Sequence, residues 1–270
     1  MDLTDLKSNK FYIYGTGYIS DRFYAALERM KCTKNVLGFI VTHKNDEMPL
    51  QKKGMDIFEV NEIPRDKMII CAVHMIWKEE IRQILNKLNF EKFCFIYEQI
   101  FDLDFGMPIK TDVSVKVCSL VRTITRKSFV IPAYYSAVDN FFHPKDNGDI
   151  LYLKLYEMLT NKESAKKRLK RLHDMIQQYK DRGGEVILTS NIKIDENESV
   201  ILDGLHRTTL ALYFGIHTLK ADIYQTKQYY DKWLGRKFYI DENSMNDIYT
   251  EDERERLRCL QKKILCRLTD

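Results

Sequence analysis

Short apolar runs alternate with stretches of helical period through the first hundred residues. Residues 10–14 form an apolar run predicted as a strand, which leads directly into Gly15-Thr16-Gly17-Tyr18-Ile19-Ser20. Behind that turn Ile19, Phe23, Ala26, Leu27 and Met30 recur at the spacing of one helix face, which predicts a helix. Residues 36–41 are predicted as a second strand, 56–60 as a short third one ended by Pro64, and 92–97 as a fifth. The fourth, 68–73, is apolar at nearly every position, the pattern of a parallel strand covered on both faces. Helical spacing returns between residues 78 and 88. Strands separated by helices imply right-handed crossovers and a parallel sheet, hence an α/β unit.

The rhythm changes between residues 102 and 112, where Gly106 and Pro108 mark a boundary, so two domains, 1–105 and 106–270, are predicted. Beyond it, residues 149–159 are a strongly apolar helix candidate. Ala165, Leu169, Leu172, Ile176 and Tyr179 form one stripe of a second helix, which Asp181-Arg182-Gly183-Gly184 ends. Two short strands, 185–188 and 199–202, are expected to flank a polar turn at 195–198. A helix over 208–214 stops at Gly215, suited to a left-handed cap, and a last strand covers 219–224. Thr250 and Glu253 have capping-box spacing ahead of an amphipathic helix carrying Leu257, Leu260, Ile264 and Leu268.

Composition narrows the class more than the chemistry. Hydrophobic residues make up 44% of the 270 and charged residues 30%, values of a folded globular chain. The 43 basic and 39 acidic residues give a formal charge of +4, too balanced to imply a nucleic-acid partner. The opening residues lack the basic and apolar regions of a signal peptide, and no run is apolar for long enough to span a bilayer. Six cysteines (Cys32, Cys71, Cys94, Cys118, Cys259 and Cys266) lie scattered without a Cys-x-x-Cys pair. They are expected as buried free thiols of a cytoplasmic protein, with neither a disulfide framework nor a zinc site.

The chemistry concentrates where the strand at 199–202 runs into Asp203-Gly204-Leu205-His206-Arg207 and then into a helix expected to begin near Thr208. The first N–H groups of a helix lack intrahelical partners and sit at the positive end of its dipole, where a phosphate can accept them. Gly204 lets the backbone approach a ligand closely. His206 and Arg207 add side-chain donors, Arg207 with a fork suited to phosphate oxygens, and Thr208 and Thr209 add hydroxyls. Asp203 is placed to hold a metal ion or to accept a proton.

The stretch from Ile201 to Arg207, with the helix behind it and Gly215, resembles the signature of the ParB/sulfiredoxin-like superfamily. Its nearest branch is the free serine kinases, whose turn reads Asp-Gly-His-His-Arg. The resemblance spans residues 150–225 and implies an α+β domain whose turn binds nucleotide phosphates, with ATP as co-substrate and Mg²⁺ at Asp203. It implies phosphate contacts at Gly204, Leu205, His206, Arg207, Thr208 and Thr209, and catalytic roles for Asp203 and His206. Sulfiredoxin's reactive cysteine falls at Leu205, which excludes that redox chemistry here. The first histidine of the kinase motif also falls at Leu205. Serine kinases place a glutamate just before the helix that precedes the two strands, and Glu157 and Glu163 are the candidates, Glu157 preferred.

Gly15-x-Gly17-x-x-Ser20 after a strand resembles a dinucleotide fingerprint with serine at the third glycine, but the second strand ends in Val41-Thr42-His43, without the acid that binds a ribose. Residues 10–100 more nearly resemble the Rossmann-like N-terminal domain of sugar-modifying enzymes in bacterial polysaccharide pathways. That likeness implies a nucleotide-sugar near Gly15, Gly17, Tyr18 and Ile19. The aromatic stretch 134–144 lacks a clear period and is expected either as a packed connection or as a cleft lining that offers Asp139, Asn140 and His143 to a substrate. Lys166-Lys167-Arg168-Leu169-Lys170-Arg171 is expected first as the solvated face of its helix, with a counter-charge for an anionic substrate as the alternative. The last helix is expected to pack on its own chain or to pair with a second copy in a homodimer. Together these readings predict a Rossmann-like domain joined to a ParB/sulfiredoxin-like domain, with the active site between them. The expected activity is an ATP-dependent kinase acting on a sugar or nucleotide-sugar such as UDP-N-acetylglucosamine, with no nucleic-acid or membrane partner. The alternative is a nucleotide-gated binding or regulatory module without phosphoryl transfer.

Overall fold

The structure is a computed structural model that describes residues 3–45, 48–144, 147–183, 190–226 and 240–268. The strand predicted at 185–188 lies outside the described residues. The chain divides into two compact units, Met1–Gly106 and Met107–Asp270.

The first unit runs α1 (Leu3–Ser8), β1 (Phe11–Tyr14), α2 (Tyr18–Arg29), β2 (Val36–Val41), β3 (Gln51–Lys52), β4 (Met55–Glu59), β5 (Met68–Cys71), α3 (Lys78–Lys87), β6 (Phe93–Phe95) and α4 (Ile100–Phe105). Its sheet has the order β3-β4-β2-β1-β5-β6. All pairs are parallel except the β3–β4 hairpin. The apolar runs made this sheet legible, because β1, β2 and β5 are buried at nearly every position. Helix α4 was not predicted. Its six residues are too few to show a period, and it is fixed by packing: Ile100, Phe101 and Phe105 are buried, and Asp104 pairs with Arg22 of α2, each side chain only 6% exposed.

The second unit runs β7 (Lys110–Lys116), α5 (Val117–Thr125), α6 (Val130–Phe142), α7 (Ile150–Leu159), α8 (Lys162–Arg182), β8 (Ile192–Asp195), β9 (Ile201–Asp203), α9 (Leu205–Tyr213), β10 (Thr218–Tyr224), α10 (Glu242–Asn246) and α11 (Glu251–Arg267). Its mixed sheet has the order β7-β10-β8-β9, with β10 antiparallel to β7, β8 parallel to β10, and β9 antiparallel to β8. The strand opposite β9 across the polar turn is therefore β8, which was not predicted, and neither were β7 and α5. The aperiodic aromatic stretch is helix α6, and the physical reason is plain: residues 130–138 are all buried, so no polar face exists to reveal the period. Ala133, Ala137 and Val138 of α6 join Leu151, Leu155, Leu172 and Ile176 of α7 and α8 in one core with the sheet.

Helix α11 begins with the predicted capping box between Thr250 and Glu253. It packs on its own unit through Leu257 and Ile264, while Gln261 donates to the Thr125 carbonyl and Arg267 to the Tyr135 hydroxyl. Cys118, Cys259 and Cys266 are exposed, against the expectation of buried thiols, because they fall on the outer faces of α5 and α11. Among the described residues no helix is long and apolar enough to cross a membrane.

Candidate functional site

The Asp203 turn starts at the end of β9 and is built by the hairpin behind it. Asp195, fully buried at the end of β8, accepts from the Ser199 and Val200 amides at 2.6 Å each and from the Ser199 hydroxyl at 2.7 Å. This fixes where β9 returns, and the antiparallel register sets Lys193 directly opposite Asp203. Gly204 then caps α9 with φ at +102°, a conformation that side-chain-bearing residues rarely adopt. A Cβ at 204 would stand 2.5 Å from Cγ2 of Ile192, so glycine is required by space as well as by backbone angle.

Helix α9 begins at Leu205, three residues before the expected start. The first intrahelical bond runs from the Thr208 amide to the Gly204 carbonyl at 2.9 Å, so the outward-facing amides are those of Leu205 to Arg207. Thr208 and Thr209 are fully buried in the second turn, which removes their hydroxyls from the expected set of phosphate contacts. Leu205 can offer only its amide, because its side chain packs against the core.

His206 is not a cationic donor. Its Nε2 lies 2.6 Å from the Tyr152 hydroxyl, and its ring stacks on Tyr152 and tilts against Tyr134 at a centroid distance of 5.1 Å. It keeps some accessible surface, but this aromatic wall strips water from the ring. That burial, with Arg168, Arg171 and Arg207 nearby, pushes the imidazole pKa down from 6.5 to about 3. The bond therefore joins a neutral imidazole to a neutral phenol, whose own pKa burial raises. His206 braces the turn against α7; proton transfer at neutral pH falls outside what this environment supports.

Arg207 spends much of its fork inside the protein. Its Nη1 donates to the Ser190 carbonyl and hydroxyl, and its Nη2 lies 3.7 Å from Asp203 Oδ2, with the side chain 11% exposed. Two other guanidiniums, read from sequence as solvated, come from α8 instead. Arg168 lies over the Tyr156 ring at 4.6 Å, and both Arg168 and Arg171 are close enough to lower the His206 pKa. Lys193, opposite Asp203, donates to the Tyr224 hydroxyl at 3.0 Å. Lys193 was not anticipated from sequence, and for both arginines the solvated face was the favoured expectation. The signal for the arginines was present in helical geometry: Arg168 lies three residues after buried Ala165 and four before buried Leu172, on the flank of the apolar stripe.

The remaining predicted residues do not converge on this turn. Glu157 is exposed on α7, and Glu163 is 70% exposed and pairs with Lys167 at 3.5 Å, so neither supplies the expected second carboxylate. Asp139 accepts from the Tyr213 hydroxyl at 3.4 Å; burial and that carboxylate push the phenol up to about 12. Asn140 packs against Gly148, where a Cβ would strike its amide, and His143 is exposed at the end of α6. Asp139 thus ties α6 to α9, and Asn140 packs on the connection that leads into α7.

In the first unit Gly15 has φ at +108° and passes so close to the segment just after β5 that a Cβ would stand 2.8 Å from Val73. Gly17 caps α2, Tyr18 is half-buried beside Arg22, and Ile19 is buried in the core, which takes its side chain away from any ligand. Ser20, in place of the third glycine, folds back to donate to the Gly17 carbonyl at 2.6 Å. The mouth of the turn is already held by Lys52, which donates to the Thr16 carbonyl and pairs with Asp21 at 2.7 Å. Among the described residues no cluster of three or more His, Cys, Asp or Glu side chains could hold a metal ion.

No family model, no curated protein and no solved structure matches this chain.

Proposed function

We propose that the chain is an ATP-dependent phosphotransferase whose second unit binds the nucleotide phosphates at the Asp203–Arg207 turn and transfers the terminal phosphoryl to a hydroxyl of a small substrate. A sugar or nucleotide-sugar such as UDP-N-acetylglucosamine is the acceptor implied by the likeness of the first unit to Rossmann-like domains of sugar-modifying enzymes. The observation that carries the reading is the left-handed Gly204 between a strand-end carboxylate and the first-turn amides of α9, with Arg207 3.7 Å from that carboxylate and Arg168 and Arg171 acting on the His206 ring. Phosphoryl transfer depends chiefly on positioning and on charge stabilisation, which these groups supply.

In the proposed step the acceptor oxygen forms a bond to the γ-phosphorus, the bond from that phosphorus to the bridging oxygen of ADP breaks, and Asp203 takes the hydroxyl proton. Asp203 is 33% exposed, reachable by a substrate while anchored at the strand end. A magnesium ion that arrives with the triphosphate needs only one or two protein carboxylates, so Asp203 fits it, and the ion would neutralise charge on the phosphate oxygens.

A second reading, nucleotide binding without transfer, draws support from the exposure of Glu157 and from the pairing of Asp203 with Arg207. Incubation with Mg²⁺, ATP and a pool of sugars, nucleotide-sugars and amino acids, followed by mass spectrometry, separates the two. The transferase yields a species heavier by one phosphoryl group together with ADP, and Asp203→Asn abolishes both while the protein stays folded. Tight ATP binding with no phosphorylated species, in the pool or in cell extract, would establish the binding module instead.

A further inference from the structure

We propose that Arg168 and Arg171 of α8 form an anion subsite for the terminal phosphate of a polyphosphate ligand at the Asp203 turn. This deepens the phosphate-binding part of the reading above and rests on it, but does not depend on phosphoryl transfer.

The six-residue basic run sorts by ion pairing. Lys167 pairs with Glu163 at 3.5 Å and Lys170 with Asp174 at 2.8 Å, and both carboxylates are well exposed. Arg168 and Arg171 are half-buried, and among the described residues neither pairs with a carboxylate. Unpaired charge removed from water is costly, and the cost rises when like charges gather. Here they do gather: Arg168 lies over Tyr156, whose ring packs on Tyr152 against His206, Arg171 follows one helical turn later, and both act on His206 together with Arg207. Two carboxylates share this neighbourhood. Asp203 acts on Tyr156 and lies 3.7 Å from Arg207, and Asp149 acts on Tyr152 and lies 3.9 Å from His173. Among the described residues neither carboxylate comes within ion-pair distance of the two α8 guanidiniums.

Arg168 is also held in place. Its guanidinium lies over the ring of Tyr156, itself only 7% exposed, while its shielded Nε meets no acceptor among the described residues. A buried donor left without an acceptor calls for an explanation, and a bound anion that neutralises the group is a direct one. Arginine serves this better than lysine, because its planar fork engages two oxygens of one phosphate. A ligand spanning these forks and the α9 amides needs a chain of charged phosphates, as in inorganic tripolyphosphate or a nucleoside triphosphate.

Calorimetric titration of the full chain with inorganic tripolyphosphate and with Mg²⁺–ATP tests the assignment. The wild type should bind tripolyphosphate, and Arg168→Ala and Arg171→Ala should each weaken it by roughly tenfold or more, the scale of one lost charge-assisted contact. Lys167→Ala and Lys170→Ala should change it by less than about twofold, as exposed pairs contribute little. Arg168→Lys keeps the charge and the fold but loses the fork, so it should also weaken binding and covers the case in which Arg168→Ala does not fold. Equal losses from lysine and arginine variants would reduce the subsite to a general basic field and overturn it, as would a wild type that ignores tripolyphosphate. Arginine-dependent binding without any transfer product defeats the transferase alone. Transfer with affinity indifferent to both arginines defeats the subsite alone.

Discussion

The Tyr152 hydroxyl and Nε2 of His206, 2.6 Å apart, tie helix α7 to the first turn of α9 through two uncharged rings. The imidazole stays neutral because burial and three guanidiniums lower its pKa from 6.5 to about 3. The sign of the pH dependence follows. The folded state binds the proton less readily than the unfolded chain, so the stability contributed by the neutral ring is complete above pH 6.5 and is lost as pH falls toward 3. His206→Gln removes this titration. Chemical denaturation between about pH 6 and 4 should show a slope shallower by up to about 1.4 kcal/mol per pH unit in the variant. Equal slopes would put the ring in water.

Gly204→Ala should lose about 2–4 kcal/mol, combining strain at φ +102° with the clash against Ile192, and should weaken phosphate binding by moving the turn. Urea titration checks the first effect. Adding Ile192→Ala relieves only the clash, so the double variant should recover less than the full packing loss. Complete recovery would mean that position 204 carries no backbone strain.

Asp195→Ala removes three hydrogen bonds and leaves the Ser199 and Val200 amides without their acceptor beneath the β8–β9 turn. An expected loss of about 2–4 kcal/mol follows from the unpaired buried donors. Asp195→Asn retains one oxygen for those amides and should cost less. Similar thermal midpoints for the alanine variant and the wild type would show that the turn holds without this carboxylate.

Glu157 provides a control for the site itself. Because it is exposed on α7, Glu157→Gln should stay within about 0.5 kcal/mol of the wild type in stability and leave any phosphotransfer intact. Asp203→Asn should abolish the transfer. A silent Asp203→Asn beside a dead Glu157→Gln would move the chemistry to α7.

The sequence by itself determined the elements whose two environments differ. β1, β2 and β5 were legible because strands covered on both faces are apolar throughout, and α2, α8 and α11 because one side of each meets water. The Asp203–Gly204 turn was legible for a local reason: a left-handed backbone before a helix needs glycine at that position. Helix α6, buried on every side, carried no such contrast. Tertiary structure alone decided which charges matter. Arg168 and Lys167 are neighbours in the chain with the same charge, yet one lies on Tyr156 beside the turn and the other meets Glu163 in water. A helix turns about 100° per residue, so adjacent side chains enter different surroundings, and only the packing of α8 against α7 fixes which of them faces the site.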